Sequence, residues 1–312
     1  MDRRDALKSM GLLAGSLLTQ QLWAKDFKIA LVMKALSNPF FSTMEAGAKE
    51  EAKKLGVELL VQGTNKETDI AQQVNIVENF ITRRVDAIVI APASSTGLVP
   101  ALFRAQKQGI YVVNIDNPLD EAAKKQIGLA CPFVGSDNAL GASLAAHDLV
   151  AAMGGKGEVA ILEGIPGVMN AELRKQGAKR VFEAEPGIKV VASKTAEWEV
   201  EKGFQVFTNI LTANPGIAGL FAANDNMALG ALRAIDIAGK TGQIKVVSYD
   251  NLKTAQEAIL AGKLVSTIEQ HPELMGAYGV RAALDHLNGK EVPEKIVTPL
   301  DVIDYRYLHF NK

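Results

Sequence analysis

The chain of 312 residues is 48% hydrophobic and 22% charged, with a formal net charge of −1. That length accommodates about two domains, and that apolar content a large core. Near-neutral charge argues against a nucleic-acid partner, which needs a basic face, and it favours neither acidic nor basic substrates.

Residues 1–24 read as an export leader. Arg3, Arg4 and Lys8 give a positive start, Met10 to Leu18 an apolar run broken by Gly11 and Gly15, and Ala24 a small residue for cleavage before Lys25-Asp26. The stretch Asp2-Arg-Arg-Asp-Ala-Leu-Lys8 resembles the twin-arginine motif, with Ala6 where that motif favours Phe. The run is too short to span a bilayer, and no later run approaches the roughly 20 apolar residues required. The mature protein is expected to be soluble and periplasmic, cleaved near Ala24.

From Phe27 onward, short apolar runs alternate with stretches of helical period. Residues 27–33 have strand length. A helix follows at 42–55, with Met44, Ala48, Ala52 and Leu55 on one face, Ser42 or Thr43 as its cap and Gly56 as its stop. A strand at 57–61 leads to a helix that Thr68 and Asp69 can cap, striped by Ile70, Val74, Val77 and Ile81. A strand at 86–91, a helix at 97–108 and a strand at 110–115 come next. The rhythm pauses at 126–134, then Ser136-Asp137 cap a helix running to Met153. A second series has strands at 158–162, 188–192, 219–222, 244–248 and 264–268. Its helices lie at 171–184, 200–212, 226–238, 252–261 and 273–288. Strands alternating with helices predict α/β architecture with parallel sheets covered on both faces. Two such series in succession predict two doubly wound, Rossmann-like lobes.

In open α/β sheets the ligand sits beyond the carboxyl ends of the strands. The segments there are rich in hydrogen-bonding side chains and poor in charge. A neutral sugar needs carboxylates and amides that fork onto neighbouring hydroxyls, a guanidinium as multiple donor, and flat rings for its C–H faces. Asn38, Phe40, Phe41, Asp116, Asn117, Asn170, Arg174, Trp198, Asn224 and Asp250 supply that set. Trp198 is the one tryptophan outside the leader and stands in a charged context, which favours a ligand platform over core. Phe40 and Phe41 taken alone suit a core or staple role better than a ligand contact, and a strand-end Asp such as Asp116 or Asp250 equally suits a helix cap. Of Asn224-Asp225, Asp225 is the expected cap and Asn224 the contact.

Motifs of other chemistries are missing from the sequence. No Gly-x-Gly-x-x-Gly follows a strand, and there is neither a P-loop nor a Gly-x-Ser-x-Gly elbow. Four histidines and one cysteine show no metal-ligand spacing. Cys131, in an apolar stretch, reads as a core thiol rather than a nucleophile. No cofactor, metal or catalytic group is expected.

The order of Ser-Asn-Pro-Phe-Phe41, Ile-Asp116, Ser-Asp-Asn138, Asn170 with Arg174, Glu197-Trp198, Ala-Asn-Asp-Asn-Met-Ala-Leu-Gly230 and Tyr-Asp250 resembles periplasmic sugar-binding proteins of the ribose type. The likeness spans residues 27 to 303. Lys34 ahead of Ala-Leu-Ser-Asn-Pro-Phe, and Gly164-x-x-Gly167 leading to Asn170, look closer to the allose-binding branch. The resemblance implies sugar contacts at Asn38, Phe40, Phe41, Asp116, Arg174, Trp198, Asn224 and Asp250. Family ribose binders carry Arg where this chain has Asn117, and Gln or Asn where it has His271 after Gln270; Lys34, Asn117 and His271 join the expected contacts. The resemblance further implies lobes of 25–135 plus 272–299 and 136–271 plus 300–312. Hinges would lie near Gly135-Ser136, His271-Pro272 and Pro299-Leu300. It implies a monomer without enzymatic activity that closes around a monosaccharide or polyol and is recognised by a membrane permease with ATPase subunits. A receptor feeding a membrane sensor or chemoreceptor is the alternative. A regulator of the lac-repressor type would need a DNA-binding segment ahead of residue 27, where the leader stands. An enzyme would need a nucleophile, base or cofactor motif.

Overall fold

Strand β1 (Lys28–Met33) is buried along nearly its whole length. Ile29, Leu31 and Met33 pack on one face of its sheet, and Ala30 and Val32 on the other. A strand buried on both faces belongs inside a parallel sheet flanked by helices. The computed structural model describes residues 27–310, so the leader expected at 1–24 lies outside the described residues.

The remaining elements follow in alternation. They are α1 (Pro39–Leu55), β2 (Glu58–Gly63), α2 (Ile70–Thr82), β3 (Ala87–Ile90), α3 (Val99–Lys107), β4 (Tyr111–Ile115), α4 (Glu121–Ile127) and β5 (Phe133–Gly135). Then come α5 (Asn138–Ala152), β6 (Gly157–Glu163), α6 (Met169–Ala184), β7 (Ile188–Thr195), α7 (Val200–Ala213), β8 (Ile217–Ala222), α8 (Asp225–Ile237), β9 (Lys245–Val247), α9 (Lys253–Leu260) and β10 (Ser266–Glu269). The chain ends with α10 (Pro272–Leu287), β11 (Lys295–Val297), β12 (Asp301–Asp304) and α11 (Tyr305–Phe310).

Two six-stranded sheets result, ordered β11-β5-β4-β3-β1-β2 and β12-β10-β9-β8-β6-β7. Every pairing is parallel except β10 with β12. Both sheets are doubly wound, each reversing direction beside its first strand, β1 or β6, where Rossmann-like sheets open a crevice. The chain passes between the sheets three times: after β5, between β10 and α10, and between β11 and β12. Helix α10 returns to pack on α1 and β4.

Local chemistry explains several boundaries. Helix α1 starts at Pro39 rather than at residue 42, because Asn38 Oδ1 accepts from the Phe40 N–H and Pro39 fits the first helical position. Ser42 and Thr43 are therefore inside the helix, not its cap. Asp69 and Asp137 cap α2 and α5 as expected. Asn224, not Asp225, caps α8, accepting from the Met227 N–H at 2.9 Å. Helix α4 and strand β5 occupy ground where no element was expected. None of the α4 residues is buried, so it has no apolar stripe to reveal it. Cys131 is only half-buried at the edge of the first core, and burial pushes its thiol up to about 11.

Candidate functional site

A cavity lies between the carboxyl ends of the two sheets. The first sheet contributes Lys34 after β1, Asn38, Phe40 and Phe41 at the start of α1, Glu67 after β2 and Asp116 after β4. The second contributes Asn170 and Arg174 from α6, Trp198 between β7 and α7, Asn224 at the cap of α8 and Asp250 after β9.

Backbone strain concentrates here. Asp116 (φ 63°), Trp198 (φ 67°) and Asp250 (φ 111°) all adopt left-handed conformations that non-glycine residues avoid. Such conformations persist where the surroundings over-determine them, which is typical of ligand clamps.

On the first side, Lys34 is almost wholly buried, with Nζ 3.4 Å from Asp116 Oδ2, 4.0 Å from Glu67 Oε2 and 5.3 Å from the centre of the Phe41 ring. Asn38 Nδ2 donates to Glu67 Oε1 at 2.9 Å. Phe40 and Phe41 meet edge to face at 5.1 Å. Burial raises the Glu67 carboxyl above its ordinary value, against the opposing pull of the Lys34 ammonium and the Asn38 amide.

On the second side, Arg174 spends its donors on the protein. Nε donates to Asn138 Oδ1 at 2.7 Å, Nη1 to the Ala223 carbonyl at 2.9 Å and to Asp250 Oδ1 at 3.3 Å, and Nη2 to Gln270 Oε1 at 3.3 Å. Gln270 Nε2 in turn donates to Asp250 Oδ1 at 2.7 Å. Burial pushes the Asp250 carboxyl well up, with Arg174 working against it. Asn224 Nδ2 donates to the Trp198 carbonyl at 3.4 Å, so the amide that caps α8 also holds the tryptophan loop.

Three buried polar atoms of the lining have no hydrogen-bond partner among the described residues: Asp116 Oδ2, Asn170 Oδ1 and Trp198 Nε1. Lys34 attracts Asp116 by charge without the geometry of a hydrogen bond. Unsatisfied buried groups are costly, so a site that keeps three is shaped for a ligand that supplies two donors and one acceptor. A hydroxyl is both.

Two expected contacts lie elsewhere. Asn117 is fully buried beneath the cavity wall, where Nδ2 donates to the Pro92 carbonyl at 3.1 Å and Oδ1 accepts from the Asn170 N–H at 3.1 Å. His271 points away from the cavity lining; its ring nitrogens lie 3.2 Å from Glu273 Oε1 and 2.7 Å from Asp301 Oδ2. The preceding Gln270 turns inward instead. Asp225, expected as a cap, is wholly buried and accepts from the Ser248 and Thr267 hydroxyls and the Leu252 N–H. Glu67 was missed by sequence reasoning. The strand-end rule applied to β2, and its polar loop from Thr64 to Asp69, would have found it.

Residues 29–291 match the family described as periplasmic binding protein domain. The chain is 40% identical over 283 residues to a D-ribose/D-allose-binding protein of Pseudomonas aeruginosa, covering 88% of each. It is 37% identical to the D-allose-binding periplasmic protein of Escherichia coli, covering 91% of this chain and 92% of that one. Among solved structures, a periplasmic solute-binding protein of an ABC transporter from Actinobacillus succinogenes with bound D-allose superposes with a TM-score of 0.86. It is 45% identical, covering 90% of this chain and 98% of that one.

Proposed function

The chain belongs to the periplasmic binding protein family, and on that premise we propose that it binds one neutral aldose of the allose or ribose kind for an ATP-driven sugar importer. The observation that carries this reading is the trio of unpaired atoms, two acceptors and one donor, that line the cavity between the two sheets. The Asp250–Arg174 pair and the Phe40 and Phe41 rings complement it with charge-assisted hydrogen bonds and apolar C–H contact. Relatives named for D-allose and D-ribose, and a similar structure holding D-allose, point to the same ligand class.

In this reading Lys34, Asn38, Phe40, Phe41, Glu67 and Asp116 contact the sugar from one side, and Asn170, Arg174, Trp198, Asn224 and Asp250 from the other. The protein is exported to the periplasm on a leader cleaved near Ala24. Its lobes hinge near Gly135-Ser136, His271-Pro272 and Pro299-Leu300. Contacts from both lobes exist together only in the closed form, so the sugar shifts the population toward closure. The closed form is what the permease and its ATPase subunits recognise. The chain makes and breaks no bond.

The test is a thermal-shift and calorimetric screen of the mature protein against aldopentoses, aldohexoses and polyols. A true ligand at about 100 times its Kd stabilises by about 2.7 kcal/mol. A panel in which no carbohydrate moves the melting temperature rejects the reading, as does turnover of a sugar by the purified protein.

A further inference from the structure

Helix α6 carries Asn170 and Arg174 to the cavity, yet it has no cap of its own. Its N-cap residue is Val168, which makes no side-chain capping bond. The first N–H groups of a helix lack intrahelical partners and need outside acceptors. Here the acceptors come from loops of the opposite sheet. The Met169 N–H donates to Ser95 Oγ at 2.9 Å, and the Asn170 N–H to Asn117 Oδ1 at 3.1 Å.

Ser95 and Asn117 are held ready for this. Asn117 Nδ2 donates to the Pro92 carbonyl at 3.1 Å and lies 3.3 Å from Ser95 Oγ, while the Asn117 carbonyl accepts from Asn114 Nδ2 at 2.9 Å. Both side chains are buried at the contact between lobes. Neither Ser95 nor Asn117 lines the cavity.

We propose that Ser95 and Asn117 form a latch: a helix cap supplied across the cleft, complete only when the lobes meet, which sets the closed-to-open balance without touching the ligand. The inference rests on the hinge-closure reading above. A lobe rotation that opens the cleft separates the caps from α6 and returns its N–H groups to water. Asn170 links latch and ligand directly, since its backbone is capped while its own Oδ1 faces the guest unpaired. The latch also gives Asn117 a role at a position expected to contact sugar. Its amide accepts the helix N–H instead of donating to a hydroxyl.

The experiment compares the mature wild-type chain with Ser95→Ala and Asn117→Ala, using D-allose and D-ribose as probes. Because Asn117 also holds Pro92, Ser95→Ala is the milder variant, and ligand-free melting temperature is recorded for both. The latch predicts that Ser95→Ala raises Kd roughly three- to tenfold through faster dissociation, leaving the ligand-free melting temperature within a degree or two. Spin labels at Lys54→Cys and Ile237→Cys, in a Cys131→Ser background, report the distance between lobes. The ligand-free wild type should show a short-distance component that Ser95→Ala depletes. Unchanged dissociation rates, or identical ligand-free distance distributions, overturn the latch. If neither sugar binds the wild type, the sugar reading fails, and the distance distributions alone decide the latch.

Discussion

The guanidinium carbon of Arg174 sits 3.8 Å from the ring centre of Tyr249, so the cation that faces the cavity lies on a buried aromatic floor. Planar Arg stacks on such a face while its edge donors aim sideways, here onto Asn138, Ala223, Asp250 and Gln270. Burial pushes the Tyr249 hydroxyl up to about 12, which keeps the floor neutral beside Asp250.

That floor depends on a residue that does not line the cavity. A Cβ on Gly141 of α5 would lie 2.2 Å from the Tyr249 hydroxyl oxygen and 2.9 Å from two of its ring carbons. Gly141→Ala is expected to destabilise the protein by about 1–3 kcal/mol through overpacking. It should also weaken sugar binding by tilting Arg174. Chemical denaturation and calorimetric titration measure the two effects, and full affinity in a destabilised variant would disconnect the floor from the site.

Trp198 tests the unpaired donor. Trp198→Phe keeps an aromatic face but removes Nε1–H, and is expected to raise Kd about tenfold, the worth of one buried hydrogen bond. Gly164→Ala should act more severely, because its Cβ would stand 2.0 Å from the Trp198 ring. Equal affinities for wild type and Trp198→Phe would mean that the indole N–H has no ligand partner.

Asp225 gives a pH signature. Burial raises its carboxyl to about 7 despite donors from Ser248, Leu252 and Thr267. The folded protein therefore holds a proton that the unfolded chain, with an ordinary carboxylate pKa of about 4, has released. Stability contributed this way is complete below about pH 4 and is lost as pH rises toward 7. Asp225→Asn should remove that part of the slope. It should also cost about 1–3 kcal/mol by facing its amide toward the Leu252 N–H. Denaturation curves from pH 5 to pH 8 check both, and a wild-type slope retained in the variant would assign the proton elsewhere.

His271 titrates in a neighbouring window. Burial disfavours its charged form, but hydrogen bonds to Asp301 and Glu273, with Glu269 nearby, outweigh this and raise it above the usual 6.5. Its stabilising contribution is fully present below about pH 6.5 and fades as pH climbs through the raised value. His271→Gln should flatten stability above pH 6.5 and leave sugar affinity largely intact, as measured by melting temperature and titration across pH.

Much of the architecture was legible in the sequence because strands buried on both faces are continuous apolar runs and the long helices carry stripes. What escaped was short or unstriped: β5 and β11 have three residues each, and α4 buries none of its seven. The strand-end rule brought nine of the expected side chains and Lys34 to one cavity. Its errors concern direction rather than location. Asn117 follows the cavity residue Asp116 and His271 follows Gln270, which bonds Asp250, but left-handed backbone at Asp116 and His271 redirects the chain at those two points. Periodicity carries no record of such turns. Asn224 lines the cavity as expected but also takes the cap expected of Asp225, because either residue type caps a helix, and only burial among Ser248, Thr267 and Leu252 distinguishes the second.

Strand β11 forms one edge of the first sheet and β12 one edge of the second, although only a few residues separate them. A nascent chain thus carries two unfinished sheets with open borders until residues 295–304 have left the ribosome. Neither half can mature ahead of the other. A deletion reaching into this segment would damage both halves at once, and the two cannot be expressed as separate, uninterrupted fragments.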